Sequence, residues 1–109
     1  MKVSRTYTPR ARDAARLLGA EIRAARTERR WTIDDLAERV GASRGTIGRL
    51  ERGDMTVALG IAFEAAALVG VPLFHDDARR RALEAGRIED RLSVLPKRVR
   101  RPVEGDDDF

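Results

Sequence analysis

A chain of 109 residues holds one modest hydrophobic core, and a second independent core is not expected. It has no cysteine and a single histidine, His75, which excludes disulfides and thiolate metal sites and leaves no basis for a histidine-built metal or catalytic centre. Lys and Arg total 22 against 18 Asp and Glu, a net charge of +4, and no apolar run approaches the ~20 residues of a membrane span.

The basic surplus is uneven. Residues 1–54 carry 13 basic and 8 acidic side chains, whereas residues 75–109 carry 9 of each. A polyanion is therefore expected on the first half. Met1-Lys2-Val3-Ser4-Arg5 has no apolar stretch behind it, so no signal peptide is read there and a cytoplasmic protein is expected.

Residues 1–8 lack apolar periodicity and read as a flexible arm. Thr8-Pro9 is a helix start, since Thr caps and Pro suits the first turn. Ala14, Leu17, Leu18, Ile22 and Ala25 then recur at helical spacing, which predicts a first helix over about 9–29 despite Gly19. Thr32 can cap a second helix, with Asp35 completing a capping box and Trp31 placed to staple against Leu36. That helix runs to about Val40, and Gly41 stands where the chain needs a positive φ. Ser43 can cap a third helix ending near Arg52. Thr56 reads as the opening of a fourth helix, about 57–69. This helix is apolar on almost every side, predicting burial all round or a share in a dimer interface. Leu73 and Phe74 are expected to close the core. A fifth helix is predicted over about 76–94, with a weak apolar stripe of Leu83, Ile88 and Leu92. Residues 95–109 read as a flexible charged tail with a basic run and an Asp106-Asp107-Asp108-Phe109 end.

The domain plan is then an arm at 1–8, a helical domain at 9–74, an added helix at 75–94 and a tail at 95–109. The fold class is all-α, five helices.

Two short helices joined by about three residues around a glycine are the helix-turn-helix pattern. Leu36, Val40, Ile47 and Leu50 fall on inward faces, and Ala37 is small where the helices cross. The outward face of the third helix, from Arg44, is left to enter a major groove, whose base edges carry a distinct donor and acceptor code. The run Leu36-Ala37-Glu38-Arg39-Val40-Gly41-Ala42-Ser43-Arg44-Gly45-Thr46-Ile47-Gly48-Arg49-Leu50-Glu51-Arg52-Gly53 resembles the Xre/phage-repressor helix-turn-helix family, over about residues 18–74. Within it, Trp31-Thr32 and the aromatic C-terminus look most like the HipB type, the antitoxin and autorepressor partners of HipA kinases.

The resemblance implies a lambda-repressor-like fold and a homodimer on operator DNA. It places Ser43, Arg44 and Thr46 at the start of a recognition helix, with Arg49 one turn on, and Thr32 with the start of the second helix on a phosphate. It also implies that Arg26 and Glu51 form a structural pair. Ile33 departs from the glutamine usual in the family, and Gly45 replaces a frequent base-reading side chain. If the HipB likeness holds, a HipA-like Ser/Thr kinase is the partner, with Arg98, Arg100, Arg101 and Phe109 as the residues to meet it. No cofactor, metal or catalytic group is expected, because there is no carboxylate pair in an apolar setting and no nucleophile beside a base. The competing reading is a protein-binding module that neutralises a partner through the fifth helix and the tail, with weak DNA contact.

Overall fold

Residues 5–101 are described by a computed structural model; residues 1–4 and 102–109, including the acidic end and Phe109, lie outside the described residues. Five helices follow in order, α1 (Pro9–Glu28), α2 (Ile33–Val40), α3 (Arg44–Glu51), α4 (Leu59–Leu68) and α5 (Ala78–Val94), with no strand among the described residues. This is the all-α architecture of five helices that the local signals predict, and it agrees with the lambda-repressor-like fold that the resemblance implies. None of these helices is long and apolar enough to cross a membrane.

The starts of the first three helices are set by short polar side chains. The Thr8 hydroxyl accepts from the Ala11 N–H at 3.2 Å. Thr32 and Asp35 form a reciprocal capping box, with Asp35 N–H to Thr32 Oγ1 at 3.0 Å and Thr32 N–H to Asp35 Oδ2 at 2.8 Å. Ser43 Oγ accepts from the Thr46 N–H at 3.1 Å. Each such cap satisfies a donor that would otherwise be orphaned, worth ~1 kcal/mol. Gly41 sits at φ 81°, the left-handed conformation that lets α2 end and α3 begin three residues later.

The chain divides into two compact units, Met1–Leu73 and Phe74–Phe109. In the first, α1 to α4 enclose Ile22, Leu36, Ala37, Ile47, Leu50, Ala62, Ala65, Ala66, Val69 and Val71. Leu18, Trp31, Val40 and Ile61 pack against that cluster from its edge. The Trp31 ring is half-buried there, with the Arg39 guanidinium 4.1 Å from its centroid and that of Arg29 at 5.9 Å, so two cations lie over one ring.

Gly19 explains how α1 and α3 approach. A Cβ at this position would stand 2.7 Å from the Glu51 carbonyl oxygen and closer still to that of Leu50. The glycine that weakens α1 locally is therefore what admits the end of α3.

Three expectations are corrected. Thr56 does not open α4: its N–H and its hydroxyl donate to Asp54 Oδ1 at 2.7 and 2.6 Å, a local turn that holds the residue outside the helix. The helix begins at Leu59, after Ala58, with no side-chain cap. Nor is α4 buried all round. Ala62, Ala65 and Ala66 face the core, while Leu59 is 66% exposed and Ala67 is exposed as well. The neighbours α1 and α2 cover only one side of a ten-residue rod, whatever the chemistry of the other. Phe74 does not close the core either; it sits at φ 69° and is 87% exposed, at the first position of the second unit.

In that second unit α5 starts from Asp77, whose carboxylate accepts the Arg79 N–H at 2.9 Å. No residue of α5 is buried. Residues 95–101 follow without regular structure.

Candidate nucleic-acid interface

The outward side of α3 follows from which of its residues are taken inward. Ile47 and Leu50 are buried in the core, three residues apart, so the opposite stripe carries Arg44, Gly45 and Arg49. All three are exposed. A Cβ added at Gly45 would meet nothing closer than Ser43 Oγ at 3.9 Å, so the middle of this stripe is a shallow gap between two arginines.

Around the stripe the polar side chains are linked. Ser43 Oγ and Thr46 Oγ1 are hydrogen-bonded at 2.8 Å. Arg49 donates to Thr46 Oγ1 and to Thr56 Oγ1, both at 3.4 Å, and lies 3.6 Å from Asp54 Oδ2. Arg44 stands apart on the other flank, 3.8 Å from Asp34 Oδ1, with both side chains about 70% exposed (72% and 69%). Exposed pairs of this kind are worth ~0–1 kcal/mol. A bidentate arginine–guanine contact discriminates by ~1–3 kcal/mol, so either arginine can exchange its carboxylate for a base edge at a net gain. Until then the carboxylates aim the guanidinium groups rather than trap them.

Two of the carboxyls are held below the usual aspartate range. For Asp35 the main cause is the Thr32 N–H, then the Thr32 hydroxyl. For Asp54 it is the Thr56 hydroxyl, then its N–H. Asp54 is thus kept ionised beside Arg49 at any pH near neutrality.

The framework behind the stripe is the Arg26–Glu51 pair. Arg26 Nε donates to Glu51 Oε2 at 2.7 Å and Nη2 to Oε1 at 2.9 Å, while Nη1 reaches the Trp31 carbonyl at 2.8 Å. The two side chains are 11% and 4% exposed. The hydrogen bond that Arg26 donates to Glu51 raises the Arg26 pKa further above its ordinary value, against the opposing effect of burial. One fork therefore ties α1, the end of α3 and the turn before α2.

In the first unit the structure links Ser43, Thr46 and Arg49 by hydrogen bonds and, separately, Arg26 with Glu51, while Thr32 caps α2. Arg44 borders them. Arg98, Arg100 and Arg101 belong to the second unit, where all three are exposed and Arg98 and Arg100 line an apolar groove of about 670 Å3 with Leu92, Leu95, Pro96 and Val99. Phe109, the fourth residue of that proposed partner set, lies outside the described residues.

Sequence reasoning gave no site role to Asp54, Thr56, Arg23 and Arg52. Asp54-Met55-Thr56 carried a legible signal, an aspartate two residues before a threonine in a turn. Arg52 was legible too, two turns beyond Gly45 on the same face. Arg23 carried none, since its neighbours here come from distant parts of the chain.

Residues 22–75 match a family described as Helix-turn-helix. No curated protein and no solved structure matches the chain.

Proposed function

We propose that this protein is a sequence-specific, operator-binding repressor of the Xre helix-turn-helix type, acting as a homodimer in the bacterial cytoplasm and on the nucleoid when bound; the match of residues 22–75 to the helix-turn-helix family supports the DNA-binding part of this reading. The observation that carries the reading is the exposed stripe of α3, where Arg44 and Arg49 flank the gap at Gly45 while Ile47 and Leu50 anchor the helix from behind. Arg44 and Arg49 read guanine edges, and Ser43, Thr46 and Thr32 meet the backbone around them. With only two long side chains to read bases, part of the selectivity falls to DNA shape. Repression follows from occupying the promoter.

The test is a titration of labelled DNA from upstream of the gene over a salt series, with wild type and the Arg44→Ala/Arg49→Ala variant. For a dimer meeting about six phosphates the log–log salt slope is expected near ~−5. The double variant is expected to lose at least about 30-fold per half-site for this DNA, two contacts at ~1 kcal/mol or more each in every protomer, and so about 1,000-fold for the dimer, with no comparable loss for unrelated DNA. Equal binding of both duplexes by the wild type sinks sequence-specific recognition.

The dimer reading is supported by α5. Ile88, Leu92 and Leu95 are 40%, 60% and 51% exposed and recur with Ala78 and Ala85 at coiled-coil spacing. This exposed apolar stripe offers a second copy of α5 a face to cover. Charges favour an antiparallel twin. A parallel pair sets Glu84 against Glu89 of the partner subunit; an antiparallel pair sets it against Arg91 of the partner subunit.

The finer role, antitoxin of a HipBA-like pair that binds a HipA-like Ser/Thr kinase, is supported by the likeness to HipB and by the arginine-rimmed groove after α5. One set of variants separates these uses. Truncation after Leu95 is expected to keep the dimer and DNA binding while losing the kinase. Ile88→Asp with Leu92→Asp is expected to give a monomer by sedimentation. A truncation that still binds the kinase counts against the tail, and a dimer that survives both aspartates moves the interface to α4.

A further inference from the structure

Between α1, the start of α2 and the second half of α3 lies a notch of about 240 Å3, walled by Arg23, Arg26, Ile33, Gly48, Glu51 and Arg52. Glu51 is engaged by Arg26 through two hydrogen bonds, so those two charges cancel in place. What remains is Arg23 on one wall and Arg52 on another, both exposed. Among the described residues neither forms an ion pair. The floor is open because residue 48 is glycine: a Cβ there would lie 3.3 Å from Arg52 Nη1, and any longer side chain would fill the space.

Position matters as much as charge. Arg52 follows Gly45 by seven residues, about two helical turns, and so continues the stripe that carries Arg44 and Arg49. Ile33, on the opposite wall, is the first residue of α2, so the notch opens beside the positive end of that helix.

We propose that this notch takes a phosphate of the DNA backbone, with Arg23 and Arg52 as its two cationic arms. The inference rests on the DNA-binding reading above and adds a contact that positions the duplex without reading it. Guanidinium groups suit the task, since their planar forks match phosphate oxygens and remain charged at every working pH. A phosphate held here fixes how far α3 runs along the groove, and so which base pairs Arg44 and Arg49 reach. Ile33 has no polar group to offer the backbone at this point, and the two arginines supply what it lacks.

Contacts to phosphate and contacts to bases leave different signatures. A phosphate contact contributes equally on all sequences and adds ~0.9 to the salt slope through counterion release. The experiment measures slopes for the upstream duplex and for an unrelated duplex of equal length, using the full chain as wild type, Arg23→Ala/Arg52→Ala, Arg52→Lys and Gly48→Glu. The double alanine variant is expected to flatten the slope by about 1 for each protomer bound and to weaken both duplexes by the same factor. Arg52→Lys, which keeps the charge, retains the wild-type slope, and Gly48→Glu behaves like the double alanine variant. Thermal melts guard against misfolding, because both arginines are exposed and their removal leaves the core intact.

An unchanged slope in the double alanine variant overturns the inference and leaves DNA binding standing. A loss confined to the upstream duplex also overturns it, because the arginines would then be reading bases. A wild type that binds no duplex even at low salt removes the DNA-binding reading itself.

Discussion

Glu51→Gln is expected to destabilise the first unit by about 3 kcal/mol, the lower end of the cost of breaking a buried ion pair. The reason is what is left behind. Arg26 keeps its charge, because nothing at accessible pH deprotonates a guanidinium, and its side chain is 11% exposed. The glutamine carbonyl can still accept from one arm, but the charge is no longer balanced, and the amide nitrogen brings a donor where the carboxylate had an acceptor. The lower end of the range applies because the third arm keeps the Trp31 carbonyl and some water reaches the guanidinium. For a domain of this size, 1 kcal/mol moves the melting temperature by roughly 4–8 °C, so a fall on the order of 10–20 °C follows. Urea unfolding of the full chain checks it. A variant within about 1 kcal/mol of wild type would mean that the pair is solvated in solution and that α1 and α3 are held by packing alone.

Gly19→Ala is expected to cost more than its one added methyl group suggests. Elsewhere in an exposed helix the same change gains ~1 kcal/mol from helix propensity. Here the new Cβ would meet the carbonyl oxygens of Leu50 and Glu51, and neither is the free end of a flexible side chain. Overpacking against backbone belongs at or above the top of the ~1–3 kcal/mol range, so a net loss of about 2 kcal/mol or more remains. The displaced atoms belong to the end of α3, so Gly19→Ala is also expected to weaken DNA binding by more than its loss of stability explains. Gly45→Ala provides the contrast, because its Cβ enters open space and the change is expected to be neutral to mildly stabilising. The melting curve of Gly19→Ala should fall, while that of Gly45→Ala should stay or rise slightly. If Gly19→Ala melts at or above wild type, α1 and α3 do not pack as closely in solution as the structure has them.

The two substitutions bear on one question, how the recognition helix is held. At eight residues α3 is too short to persist alone, and two of those residues are glycines. Its order comes from the Ser43 cap at one end, Ile47 and Leu50 in the core, and the Arg26 fork with the Gly19 contact at the other. Loosening either end lets Arg44 and Arg49 drift relative to each other, a loss that neither arginine alone can restore.

Much of this was legible in the chain itself. The caps at Thr8, Thr32 and Ser43 and the turn at Gly41 are written in side chains that act within three or four residues, and the five helices follow from them and from the spacing of apolar residues. The face of α3 followed in the same way, since a helix that buries Ile47 and Leu50 must present Arg44 and Arg49 elsewhere. Where local signals competed, tertiary structure decided. Thr56 is as good a cap as Ser43, but Asp54 two residues earlier captures it, so α4 starts at Leu59. Apolar composition could not tell which side of α4 is covered, because coverage depends on how many neighbours reach it; nor could it place Phe74, whose chain turns outward at a positive φ. The role of Gly19 and the notch between Arg23 and Arg52 were invisible for the same reason. Sequence determines what each segment offers, whereas a close approach or a shared pocket exists only once residues some thirty positions apart have been packed together, as Gly19 is with Leu50 and Glu51.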